Sequence, residues 1–149
     1  LTLRKRTLAR EAAIQVLYQL DLRGEEILGE LDTVLHHLLA EADPDPAVRQ
    51  FARDLVTGCW AHRAELDQRI RAIAENWDLA RMATVDRNIL RLAAYELLFG
   101  SDVPPKVAIN EAIDLAKRFS TADSGAFVNG ILDRIHSERA REAGEQDGP

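Results

Sequence analysis

Four basic side chains crowd the start of the chain: Arg4, Lys5, Arg6 and Arg10. Cations at the head of a helix can neutralise phosphates, the dominant contribution to nucleic-acid affinity. Residues 1–23 carry five basic groups against two acidic ones, Glu11 and Asp21, a local charge of +3; the whole chain is at −6, so the remainder holds −9. A basic end on an acidic body makes a focused patch, whereas the net charge alone argues against polyanion binding. The same cations also suit a solvated tail. Tyr18 falls beside the apolar stripe of the first helix, as a core residue or as a half-exposed ring. Phe127 follows the polar pair Asp123-Ser124 by about one helical turn. An aromatic beside donors and acceptors can stack a splayed base while the polar groups read its edge, and it can equally serve as core or as a hydrophobic staple.

Other chemistry finds no constellation. His36 and His37 are adjacent, so on a helix they point about 100° apart and cannot share a metal. His62 and Glu65 have usable spacing but no third ligand nearby in sequence. Cys59 sits on an apolar helical face next to Trp60, the usual place of a small buried hydrophobe. No serine stands in a nucleophile elbow, and the eight glycines are dispersed rather than gathered into a phosphate loop. The expectation is a protein that is not an enzyme and uses neither cofactor nor metal.

The elements that must position these residues are helical. At 149 residues the chain fits one domain. A first helix is predicted from about Thr7 to Leu22, with Ala9, Ala13, Val16, Leu17 and Leu20 on one face, Thr7 as its cap and Gly24 as its stop. A second spans roughly Glu26 to Ala42. Asp45-Pro46 reads as a capping carboxylate before a first-turn proline. The third helix, with Gly58 marking a close crossing, bends into a segment running to Trp77. Thr84 caps a helix with apolar residues on both faces, which makes it central. Helices from Lys106 to Phe119 and from Ser124 onward follow, and the polar residues 139–149 are expected to fray. No segment alternates like a strand, and no apolar run nears the ~18 residues that span a bilayer. The single cysteine excludes an intramolecular disulfide and suits a reducing cytoplasm.

Five ordered segments carry a family resemblance. The segment Val85-Asp86-Arg87-Asn88-Ile89-Leu90-Arg91-Leu92-Ala93-Ala94-Tyr95-Glu96-Leu97-Leu98 resembles the central helix of the NusB family of transcription antitermination factors. So do Asp102-Val103-Pro104-Pro105-Lys106-Val107-Ala108-Ile109-Asn110-Glu111-Ala112, then Leu115-Ala116-Lys117, and Phe127-Val128-Asn129-Gly130-Ile131-Leu132-Asp133. Ala9-Arg10-Glu11-Ala12-Ala13 with Leu17-Tyr18 is similar to the family's opening helix.

The resemblance implies an all-α fold: a compact bundle of about seven helices in two packed helical subdomains. Residues 1–138 would form one RNA-binding domain, followed by the polar tail 139–149. It further implies binding to the single-stranded boxA element of ribosomal RNA leader transcripts, together with the small-subunit ribosomal protein that acts as NusE. Other Nus factors and RNA polymerase join indirectly, in the cytoplasm, without cofactor or membrane. Some relatives self-associate, so monomer and homodimer both stay open. The implied RNA-binding residues are Arg4, Lys5, Arg6 and Arg10 for phosphates, Tyr18 and Asp86 at family positions, Asp123 and Ser124 for polar contacts, and Phe127 for stacking. Ala126 replaces a basic residue that some relatives carry, and Thr7 and Leu8 replace arginines, departures that imply weaker intrinsic affinity. Asn129 and Gly130 read as structural, with Gly130 allowing close packing. Two alternatives compete. One is the NusB-like amino-terminal domain of an RNA cytosine methyltransferase, which would require a longer parent chain, since no parallel-sheet pattern or methyl-donor loop is present. The other is a protein-interaction module without RNA binding.

Overall fold

A computed structural model describes residues 1–74, 79–100 and 103–146. It divides into two compact units, Leu1–Ala61 and His62–Pro149. Helices account for all the regular structure among the described residues.

The first unit holds α1 (Leu3–Arg23), a 3₁₀ turn (Glu25–Glu30), α2 (Leu31–Leu39) and α3 (Pro46–Ala61), with α1 and α2 both packed on α3. The expected stripe of α1 is buried: Ala9, Ala13, Val16, Leu17 and Leu20. The helix starts four residues earlier than its periodicity suggests. Thr2 is the cap, its hydroxyl accepting from the Lys5 backbone N–H at 3.2 Å, while the Thr7 hydroxyl donates back to the Leu3 carbonyl at 3.0 Å. Three successive cations in the first turn oppose the helix dipole and carry no apolar period, so the sequence hides this turn. Gly24 ends α1 with φ at 90°, a backbone that side chains resist. Asp45 caps α3 through the Ala47 N–H at 2.9 Å.

The second unit holds α4 (Arg63–Ile73), a 3₁₀ turn (Leu79–Arg81), α5 (Thr84–Phe99), α6 (Pro105–Phe119) and α7 (Ala122–Gln146). Helix α5 packs against α4, α6 and α7, as a helix apolar on both faces must. Ala83, not Thr84, stands at its cap position and makes no side-chain cap bond. Polar groups are buried with it. Arg91 donates from Nε to Asp67 Oδ1 at 2.6 Å and from Nη2 to Asp67 Oδ2 at 2.8 Å, tying α5 to α4. Asn88 accepts from Arg91 at 3.3 Å and donates to the Thr84 carbonyl at 2.8 Å.

Helix α7 runs past Arg139 to Gln146. Its apolar face stops at Ile135, which is where periodicity stops speaking, but Glu, Arg and Ala sustain a helix on propensity. Glu142 is held there by Arg69 of α4 at 2.7 Å. Gly130 is exposed, with nothing within 4 Å of where a side chain would begin. Close packing is therefore not its role. Trp77 and Asp102 lie outside the described residues.

Candidate nucleic-acid interface

The nine residues singled out from the sequence fall into two groups, one in each unit. In the first unit they sit on α1. Arg4 is exposed. Lys5 is engaged: its ammonium lies 2.7 Å from Asp45 and 3.6 Å from Asp43. The hydrogen bond to Asp45 holds the Lys5 pKa above its ordinary range, and the same bond, with the Ala47 N–H, holds Asp45 below its own. Arg6 is half-buried, its guanidinium carbon 5.6 Å from the centre of the Phe51 ring and its Nε buried without a partner. Arg10 is only 2% exposed, and its guanidinium lies 5.7 Å from the same ring. Two cations thus share one aromatic of α3, a contact that favours each when water is excluded.

This changes the electrostatic reading of α1. A guanidinium buried to that extent stays where it is, and Lys5 has two carboxylates in competition with any phosphate. Of the four cations at its head, Arg4 and part of Arg6 are what this helix offers to a phosphate, while Arg23 is exposed at its far end. Tyr18 is 41% exposed, so its ring is a surface group rather than core. With Gln15 and Leu22, both exposed, it forms an outward strip at helical spacing.

In the second unit, Asp86 lies in the first turn of α5 and Asp123, Ser124 and Phe127 in the first turns of α7. The Ser124 hydroxyl donates to Asp86 Oδ2 at 3.1 Å. Ser124 is 7% exposed, so it faces inward, toward Asp86, while Asp123 is exposed. Asp86 Oδ1 is buried with no protein donor among the described residues. Phe127 is half-buried, four residues after Asp123 and hence on the same side of α7. An exposed carboxylate one turn before a partly open ring is an arrangement that can accept from a base amino group while the ring covers the base face.

Three contributors were not singled out from the sequence. Ser120 Oγ and Thr121 Oγ1 each lie 3.0 Å from Ser124 Oγ, completing a hydroxyl cluster between α6 and α7. Their signal is the spacing of three hydroxyl residues at positions 120, 121 and 124 around a helix start. Phe51 gave none, because its role depends on α1 lying across α3. Of the histidines, His36 Nδ1 pairs with Arg49 at 2.9 Å, and the His62 ring stacks on Phe99 at 4.0 Å. No group of three metal-ligating side chains occurs among the described residues, and no helix there is long and apolar enough to cross a membrane.

Comparison with known proteins places this geometry in a family. The NusB family model matches residues 7–137. The transcription antitermination protein NusB of Geobacter sulfurreducens is 51% identical over 133 residues, covering 89% of this chain and 94% of the relative. That of Desulfitobacterium hafniense is 47% identical over 131 residues, covering 87% and 86%. Among solved structures, NusB of T. maritima superposes with a TM-score of 0.78 at 42% identity, over 89% of this chain and 91% of that one. A crystal structure of the antitermination factors NusB and NusE in complex with double-stranded RNA gives a TM-score of 0.78 at 32% identity, over 92% and 99%. The match runs from the opening helix through α7 on both sequence and structure: the chain belongs to the NusB family.

Proposed function

We propose that the chain is a transcription antitermination factor that binds boxA-type single-stranded RNA of ribosomal RNA leader transcripts. It does so with the small-subunit ribosomal protein acting as NusE, and reaches the other Nus factors and RNA polymerase through that assembly in the cytoplasm. The observation that carries the reading is family membership across residues 7–137, with antitermination proteins as relatives over nearly their full length. A structural neighbour bound to NusE and RNA supports both partners. In this reading Arg4, with help from Arg6, meets phosphate. Tyr18 and Phe127 supply ring faces, and Asp123 supplies an acceptor. Lys5, Arg10, Asp86 and Ser124 hold the surroundings in place. No step needs a cofactor, and the reading includes no catalysis.

The test is fluorescence anisotropy of a labelled boxA-type RNA against a scrambled strand and a duplex, with and without the ribosomal protein, at several salt concentrations. Preference for the single strand, strengthened by the partner, is the expected result. Log affinity falls by about 0.7 per decade of salt for each phosphate neutralised on a single strand. Arg4 and Arg6 as the phosphate contacts then give a slope contribution of about −1.4, where all four of Arg4, Lys5, Arg6 and Arg10 would give about −2.8. Equal, weak binding to every RNA would refute the reading. It would favour the second one, a protein-interaction module without RNA binding, which the burial of Arg10 and the pairing of Lys5 support.

A further inference from the structure

The hydroxyl cluster between α6 and α7 has a fixed direction. Ser124 is buried, so its hydroxyl must be satisfied within the protein. A serine hydroxyl has one proton to donate and two lone pairs to accept with. It has three partners: Asp86 Oδ2 at 3.1 Å, Ser120 Oγ at 3.0 Å and Thr121 Oγ1 at 3.0 Å. An ionised carboxylate only accepts, so the Ser124 proton points at Asp86. Both Ser124 lone pairs are then filled by the protons of Ser120 and Thr121. One carboxylate on α5 thereby sets the direction of all three bonds.

The consequence reaches the surface. Thr121 is exposed and Ser120 half-buried. With their protons turned inward, these hydroxyls have only lone pairs left to offer. The exposed Asp123 carboxylate beside them is an acceptor as well. We infer that Asp86 is a positioning residue, acting through Ser124 to make the side chains of the α6–α7 connection acceptors only, and that they read a base bearing an exocyclic amino group. Adenine, cytosine and guanine carry such a donor; a uracil carbonyl in the same place would face lone pairs. Phe127, one turn on, covers the base face. The inference rests on the RNA-binding reading proposed above and names the base chemistry that reading requires.

The experiment uses the full chain with its ribosomal-protein partner and a boxA-type RNA. Each adenosine is replaced in turn by purine riboside, each cytidine by pyrimidin-2-one riboside and each guanosine by inosine, which remove the amino group and keep a stacking ring. In the wild type, at least one replacement is expected to weaken binding about three- to tenfold, the worth of a hydrogen bond. In a Ser120→Ala/Thr121→Val double variant the same replacement is expected to cost less than about twofold. Asp86→Ala releases the Ser124 proton to bond Ser120 or Thr121, which turns a proton outward. The penalty should shrink there too, with Ser124→Ala taking its place if Asp86→Ala fails to fold. A purely structural role would weaken all RNAs alike and leave the penalty ratio intact, and that result overturns the inference. So does a wild type that binds its RNA well yet pays at no position, which leaves the RNA-binding reading standing. Failure of the unmodified RNA to outcompete the scrambled strand instead sinks that reading, and the inference with it.

Discussion

Removing the carboxylate of Asp67 is the sharpest test of how the second unit is held together. Its two oxygens receive Nε and Nη2 of Arg91 at 2.6 and 2.8 Å, with side-chain exposures of 10% for Arg91 and 13% for Asp67. Asp67→Ala strips the Arg91 guanidinium on α5 of both carboxylate oxygens, and the Asn88 contact at 3.3 Å carries no compensating charge. Removing one member of a buried pair costs about 3–5 kcal/mol, and the residual exposure of this pair with the contacts Arg91 keeps places it at the low end, about 3. For a chain of this size 1 kcal/mol moves the melting point by about 2–4 °C, so a fall of about 6–12 °C is expected by circular dichroism. The double variant Asp67→Leu/Arg91→Met removes both charges and fills the space with apolar atoms. It should recover most of that loss, because an absent ion pair needs no desolvation. If Asp67→Ala loses less than about 1 kcal/mol, or if the double variant is as unstable as the sum of the singles, the claim that this pair is buried and mutually dependent is refuted.

Lys5→Met tests the link between α1 and the α2–α3 connection. The Asp45 part of that link is present above its ordinary pKa of 3.8 and fades as pH falls through its lowered value. The Lys5 part is present below 10.5 and fades as pH rises through its raised value. The melting difference between wild type and Lys5→Met should therefore be flat between those limits and close up at both ends, small throughout because the pair faces water. Gly130→Ala should stabilise the chain by about 0.5–1 kcal/mol in chemical denaturation, since alanine is the better helix former and the space is open. Asp123→Asn should tighten RNA binding in a filter or anisotropy assay by removing a charge that repels phosphate; unchanged affinity would take Asp123 out of the contact.

What the sequence disclosed and what it withheld follow physical lines. The stripes of α1 and α5 repeat every three to four residues, so they are legible locally. The same pattern held a clue about Arg10. It stands three residues before Ala13 and seven before Leu17, inside the buried stripe, and a positive charge there pointed to phosphate when the spacing pointed to the core. Lys5 and Asp45 lie 40 residues apart, and Asp67 and Arg91 lie 24 apart, so nothing in either neighbourhood announces its partner. Ser124 was legible as a polar group near Phe127 but not in its direction, because Asp86 approaches it from another helix.

The length of α7 has a consequence for its motion. At about 1.5 Å per residue its 25 residues reach about 37 Å, yet its buried apolar face ends at Ile135. Beyond that point little of the helix is covered, and Arg69–Glu142, open to water on the Glu142 side, adds little. Amide exchange with deuterium should then show a protected stretch through Ile135 and a shallow slope beyond it rather than a single cooperative block. A weak clamp at the far end lets that overhang open and close many times before the rest of the unit opens once.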